Sequence, residues 1–162
     1  MPRHLLVVFH TQSGGTEALA TRVANGARGA GDVEVIVRRA ADATADDLLA
    51  ADGLLIGSPE NFGYMAGMVK DFFDRVFYPC ETKLAGRPYS VFVCAGGDGT
   101  GAMREIDRIV TGWRMRKVHP GLIARRIGGM AGSSRGELDP ADLQSAEELG
   151  ATLAAGLSVG AF

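Results

Sequence analysis

The chain is predicted to fold as an α/β three-layer sandwich, a five-stranded parallel sheet in the order 2-1-3-4-5 with helices on both faces. Three observations predict it. The apolar period switches repeatedly between strand and helix, which implies parallel strands joined by crossover helices. The third strand-like run, Leu54-Leu55-Ile56, is apolar throughout, as a central strand buried on both faces requires. The fifth run, Val118–Ile123, contains Pro120, which lacks a ladder N–H and marks an edge strand or a broken one. A chain of 162 residues is long enough to bury a sizeable core, and one domain spanning 1–162 is expected.

The elements follow in order. Residues 4–9 read as strand one. Residues 16–29 form a helix with Leu19, Ala20, Val23, Ala24 and Ala27 on one face, ended by Gly29 and Gly31. Val33–Val37 is strand two. Thr44-Ala45-Asp46-Asp47 resembles a capping box opening a short helix through Ala51. After strand three, residues 66–78 form a helix in which Met68/Val69, Phe72/Phe73 and Val76/Phe77 recur at helical spacing, with Lys70–Asp74 and Asp71–Arg75 pairs on the other face. Tyr89–Ala95 is strand four. A helix from about Gly101 to Met115 turns Met103, Ile106, Ile109, Val110 and Trp113 inward. Residues 124–136, with Gly128, Gly129, Gly132, Gly136 and two serines, predict a mobile loop. Asp139-Pro140 then opens the last helix.

Composition narrows the function classes. With 46% apolar and 22% charged residues the chain is an ordinary globular protein. A net charge of −2 implies no broad attraction to nucleic acid or to an anionic membrane. The basic residues are uneven, however. Seven of them (Arg104, Arg108, Arg114, Arg116, Lys117, Arg125, Arg126) face two acids between positions 104 and 126. Helix-surface solvation explains most such runs, and a phosphate-bearing partner is the alternative. Cys80 and Cys94 have neither metal spacing nor a CxxC arrangement, so no metal site is expected and a reduced, cytoplasmic protein fits best. No run approaches membrane-spanning length, and the N-terminal apolar stretch is too short for a signal sequence. His4, His10 and His119 are scattered and form no catalytic triad with other residues.

The chemistry concentrates in three loops that the strand order brings to one rim, the carboxyl ends of strands one, three and four. In the first, Thr11-Gln12-Ser13-Gly14-Gly15-Thr16 joins strand one to a helix. Such a turn aims backbone N–H groups and hydroxyls at one point, beside the positive end of a helix dipole, and a phosphate fits there. The loop has no Lys, so it is not a nucleotide-triphosphate loop. Neutral hydroxyls without a cation suit a phosphate monoester held by hydrogen bonds alone. The competing assignment is a plain helix cap, since Ser and Thr are ordinary N-caps.

The second loop, Gly57 to Gly67, is long for a strand–helix connection and carries Phe62 and Tyr64. An aromatic pair beside a phosphate cradle suits a flat heteroaromatic ligand, with backbone amides around Glu60–Gly63 donating to ring atoms. Packing of both rings onto the core is the alternative. The third loop, Ala95-Gly96-Gly97-Asp98-Gly99-Thr100-Gly101, mimics a dinucleotide fingerprint through Gly97-x-Gly99-x-x-Ala102. It lies in a late strand–helix unit, though, with Lys117, Val118 and His119 where an acid should follow. A glycine-rich wall approaching the ligand is the better assignment.

The pattern Thr11-x-Ser13-Gly14-x-Thr16 resembles the phosphate loop of flavodoxins. The stretch Gly57-Ser58-Pro59-Glu60-Asn61-Phe62-Gly63-Tyr64-Met65-Ala66-Gly67, continuing to Lys70-Asp71-Phe72-Phe73-Asp74, resembles the Trp-repressor-binding-protein (WrbA-type) NAD(P)H:quinone oxidoreductases. It is also similar to the wider NADPH-dependent FMN reductase group of the flavodoxin-like superfamily. The chain is shorter than the quinone reductases, and His10 stands where flavodoxins usually carry a smaller residue. The resemblance implies a flavodoxin-like fold and FMN as cofactor. Thr11, Gln12, Ser13, Gly14, Gly15 and Thr16 are then expected at the phosphate. Pro59, Glu60, Asn61, Phe62, Gly63 and Tyr64 are expected at the ring, with Ala95, Gly96, Gly97, Asp98, Gly99 and Gly101 in the third loop. A single cradle without a second cation predicts FMN rather than FAD. No side chain is expected to be catalytic, because the chemistry resides on the flavin. Two activities remain: an NAD(P)H-dependent reductase of quinones or flavins, or a one-electron carrier between proteins. The partners implied are a small-molecule electron acceptor or a redox partner protein, with a homodimer as a further possibility.

Overall fold

The computed structural model describes residues 1–127 and 137–162. In chain order the elements are β1 (Arg3–Phe9), α1 (Gly15–Arg28), β2 (Val33–Arg39), α2 (Ala45–Ala50), β3 (Gly53–Asn61), β4 (Tyr64–Met65), α3 (Gly67–Cys80), β5 (Pro88–Ala95), α4 (Thr100–Gly112), β6 (Arg116–Lys117), β7 (Leu122–Ile127), β8 (Glu137–Leu138) and α5 (Pro140–Val159).

Five parallel strands form the sheet in the order β2-β1-β3-β5-β7. This is the predicted 2-1-3-4-5 arrangement. Three two-residue strands extend it: β4 antiparallel to β3, β6 parallel to β5, and β8 antiparallel to β7. Side chains alternate across the strands. Leu5, Val7 and Phe9 of β1 enter the core beneath α1 and α5, while Leu6 and Val8 enter the core beneath α2, α3 and α4. The central stretches of β1, β3 and β5 are therefore buried on both faces, which explains why Leu5–Phe9 and Leu54–Ile56 are apolar runs and why Ser90 of β5, itself buried, donates to the His119 carbonyl.

Local signals act as expected in several places. Thr44 and Asp47 form a reciprocal capping box at the start of α2. Lys70–Asp74 and Asp71–Arg75 pair along the outer face of α3. The α1–α5 contact is set by backbone proximity: a Cβ on Gly26 would lie 1.9 Å from the Glu147 carbonyl oxygen, and one on Gly150 would lie 1.9 Å from that of Val23.

The fifth strand corrects the expected boundary. Val118–Ile123 is not one strand. Only Leu122 and Ile123 of that run are strand, at the start of β7; β6 ends before it at Lys117, Pro120 lies in the connection, and Gly121 takes φ +87° where the chain re-enters the sheet. Pairing then continues through the arginines, with Cys94 opposite Ala124 and Ala95 opposite Arg125. Residues 124–127 are thus strand rather than the start of a loop. The rest of that expected loop, 128–136, lies outside the described residues. The fourth helix also stops earlier than expected, at Gly112: Trp113 caps it, Arg114 turns left-handed at φ +60°, and the Trp113 ring stacks on Phe77 and donates Nε1–H to the Phe77 carbonyl at 3.0 Å.

Candidate functional site

A cavity of about 530 Å³ opens at the carboxyl ends of β1, β3 and β5, beside the point where the strand order reverses. That volume lies within the usual ligand-pocket range of about 300–1,000 Å³. Three chain segments build it.

The first joins β1 to α1. Gly14 occupies the helix N-cap with φ +95°, a left-handed conformation that glycine adopts without steric cost, and no side chain caps the helix there. The first N–H groups of α1 therefore start without a side-chain cap, beside the lining residues Ser13 and Thr16. Thr11 Oγ1 accepts from the Gly14 N–H at 3.0 Å, which closes the turn. Thr16 is 1% exposed, and its Oγ1 has no hydrogen-bond partner among the described residues. A buried hydroxyl left unsatisfied costs about 1–3 kcal/mol and calls for an explanation. An oxygen-rich anion seated on the α1 N-terminus supplies one. Ser13 Oγ accepts from Arg126 Nη2 at 2.7 Å.

The second segment is a hairpin rather than an open loop. β3 runs on to Asn61 and returns as β4, with Asn61 opposite Tyr64 and Glu60 opposite Met65. Phe62 and Gly63 form the two-residue turn with φ +53° and +70°, the signs a type I′ turn requires. Ser58, fully buried, fixes the base: its hydroxyl donates to the Pro59 carbonyl at 2.8 Å and accepts from the Ala66 N–H at 2.9 Å. Asn61 Nδ2 donates to Gln12 Oε1 at 2.6 Å and ties the hairpin to the first loop.

The Glu60 carboxylate turns away to the start of α4. It accepts from the Gly99 N–H at 2.9 Å and the Ala102 N–H at 3.1 Å. This acid occupies the helix end that the dinucleotide-like glycines would otherwise offer to a phosphate, and its charge repels one. Gly101 lets the hairpin dock there, since a Cβ would lie 2.0 Å from the Gly63 carbonyl oxygen. In the third segment Gly96 and Gly97 border the cavity, and Arg125 holds the loop by donating to the Gly97 and Asp98 carbonyls at 3.1 and 2.9 Å. The Thr100 hydroxyl donates to the Asp98 carboxylate.

Thr11, Gln12, Ser13 and Thr16 line the cavity, as do Pro59 through Gly63. Gly14 and Gly15 at the α1 end of the first loop, Tyr64 in β4 of the hairpin and Ala95, buried in β5, are outside the lining. Asp98, Gly99 and Gly101 belong to the third loop and the α4 start, outside the lining. Two lining residues, Cys94 and Arg126, were not foreseen. Burial pushes the Cys94 thiol pKa upward, with Arg126 opposing, so Cys94 stays a neutral, weakly polar wall. Arg126 corrects the expectation of a cation-free cradle. It sits far along the sequence, and only its position at the end of β7 brings it to Ser13. The basic run disperses in space: Arg104 and Arg108 pair with Glu105, Lys117 with Asp107 and Arg125 with Asp98. Among the described residues no cluster of His, Cys, Asp and Glu could hold a metal ion, and no helix is long and apolar enough to cross a membrane.

The family described as NADPH-dependent FMN reductase matches residues 10–126. The chain belongs to this family. A flavodoxin from Aquifex aeolicus is 38% identical over 97 residues, covering 60% of the chain and 52% of the relative. An NAD(P)H dehydrogenase (quinone) from Acidithiobacillus ferrooxidans is 34% identical over 110 residues, covering 55% of each. The chain thus spans about half the length of these relatives. In fold it superposes on a flavodoxin, WrbA-like protein from Agrobacterium tumefaciens with a TM-score of 0.77 at 20% identity, covering 96% of this chain and 97% of the other. The fold is flavodoxin-like, and the matched family segment includes all three loops.

Proposed function

We propose that the cavity holds FMN and that the chain is an NAD(P)H-dependent oxidoreductase passing electrons to quinones or flavins. The observation that carries this reading is the buried, unpartnered Thr16 Oγ1 beneath an uncapped helix start, at the phosphate end of a cavity walled by an aromatic-tipped hairpin. The donor set fits a phosphate monoester. Thr16 and Ser13 donate hydroxyl protons to it, and the backbone amides at the start of α1, next to Gly14 and Gly15, complete the cradle. Thr11 keeps the turn closed. Pro59, Glu60, Asn61, Phe62, Gly63 and Tyr64 of the hairpin would border the ring, and Gly96 and Gly97 would wall the same cavity from the third loop. Ala95, Asp98, Gly99 and Gly101 support that wall. FMN, when bound, supplies hydride acceptance from the nicotinamide and electron donation to the acceptor. Family membership supports the nicotinamide part of the reading.

The whole of residues 1–162 is read as one domain. A reducing, cytoplasmic setting agrees with the two free, buried cysteines. One observation favours a second reading, a one-electron carrier between proteins: the 38% identical relative is named a flavodoxin. The purified protein should show flavin absorbance after addition of FMN, and anaerobic NADPH or NADH should bleach it. Added benzoquinone should then restore it. Failure of both nucleotides to bleach bound FMN favours the carrier, and failure to bind FMN at all overturns the assignment of the cavity.

A further inference from the structure

We infer that Arg126 is a phosphate-binding residue of this site, and that its charge makes the cavity selective for a phosphorylated flavin over riboflavin. The inference rests on the reading of the cavity as an FMN site.

Four features converge on this assignment. Arg126 lies near the end of β7, where the strand side chains alternate between the two flanking loops. Arg125 reaches the third loop and binds the Gly97 and Asp98 carbonyls, whereas Arg126 reaches the first loop and binds Ser13. Second, the guanidinium lies directly against the start of α1. A Cβ on Gly15 would sit 2.3 Å from Arg126 Nη2 and 2.6 Å from Cys94 Sγ, so glycine is what permits the close approach. Third, Arg126 lines the same cavity as Thr16, whose buried hydroxyl awaits a partner at the same helix end. An anion between the guanidinium and the α1 N-terminus is attracted by both.

The fourth feature is the direction of the Ser13 bond. The guanidinium has only donors, so Ser13 Oγ accepts from it. The Ser13 proton is thereby left to point elsewhere, and the hydroxyl is polarised by the charge it accepts from. A phosphate oxygen in the cradle then receives hydrogen bonds from Ser13, from Thr16 and from the planar guanidinium, whose several N–H groups serve Ser13 and the phosphate together. Riboflavin has no phosphate and gains nothing from Arg126.

The test is a titration of flavin fluorescence with FMN and with riboflavin, on the full chain and on Arg126→Gln and Arg126→Lys. Loss of one charge-assisted contact should weaken FMN binding about tenfold or more in Arg126→Gln. Riboflavin affinity should stay within about twofold. Arg126→Lys keeps the charge and should recover part of the loss. FMN affinity of the unmodified protein should also fall as NaCl rises, and that dependence should weaken in Arg126→Gln. Equal losses for both flavins would overturn the proposal, because they would show a prop for the loop rather than a phosphate contact. Unchanged FMN affinity in Arg126→Gln would overturn it while leaving the FMN site intact. An unmodified protein that binds neither flavin would remove the site reading and this proposal together. The salt arm needs no substitution, so the proposal remains open to refutation even if both variants misfold.

Discussion

Replacing Phe62 with Asn should stabilise the protein while weakening its hold on flavin. Phe62 has φ +53° at the first turn position of the β3–β4 hairpin, and its ring is fully exposed at 107% relative accessibility. A bulky residue in the left-handed region carries a conformational cost of roughly 1–2 kcal/mol. With the ring in solvent, nothing in the free protein offsets that cost. Asn tolerates the region far better, and Asn-Gly is a favoured pair for a type I′ turn. The expected gain is about 1 kcal/mol, a rise of roughly 2–4 °C in Tm for a chain of this size. Thermal and urea unfolding of flavin-free protein would measure it, with an unchanged m-value showing that only stability moved. FMN titration supplies the second reading: affinity should fall in the same variant, since the ring is retained for what it covers when ligand is present. If Phe62→Asn is neutral or destabilising in the flavin-free protein, the ring has contacts in solution and the strain argument is wrong. If stability rises and FMN affinity is untouched, Phe62 has no part in the site.

Thr16→Val should be neutral or stabilising in flavin-free protein, because it removes an unsatisfied buried hydroxyl, yet it should weaken FMN binding about tenfold; calorimetric titration beside unfolding curves separates the two effects. Gly150→Ala should destabilise by roughly 1–3 kcal/mol, read from the urea midpoint, because its Cβ would stand 1.9 Å from the Val23 carbonyl oxygen and push α5 off α1. Stability should fall as pH drops below the ordinary histidine value of 6.5, since burial, with Arg39 adding, lowers the His10 pKa, and burial, with Lys117 adding, lowers that of His119. Both imidazoles are favoured neutral in the fold, so their contribution is whole above 6.5 and is lost as pH falls through the depressed values. Urea midpoints between about pH 7 and pH 5.5 should show the decline, and a His10→Asn/His119→Asn variant should flatten it.

The order of the sheet was legible because each central strand must be apolar on both faces, and Leu5–Phe9, Gly53–Ile56 and Tyr89–Ala95 meet that demand in sequence alone. The first loop was equally legible, being a contiguous run whose residue types and helix follow one another. What escaped the sequence depends on non-local geometry. The hairpin at Phe62-Gly63 was hidden because its first turn residue is aromatic, where Asn or Asp is the usual sign. Glu60 borders the cavity, and nothing along the chain signals that its carboxylate also reaches α4, a helix that begins 40 residues later. Arg126 looked like one charge in a diffuse basic block. Within that block Arg104, Arg108 and Lys117 pair with acids of α4 and Arg125 holds the third loop, whereas the pairing of β7 with β5 carries Arg126 past Cys94 to the α1 start. The physical reason is common to Glu60 and Arg126. Charge and hydrogen-bond valence are satisfied across the sheet's carboxyl rim, between segments whose proximity is set by strand order and not by spacing. A loop that reads as neutral along the chain can therefore face a charge in space, and the α1 end of this cavity, where Arg126 meets Ser13, is where that difference bears on the ligand we propose.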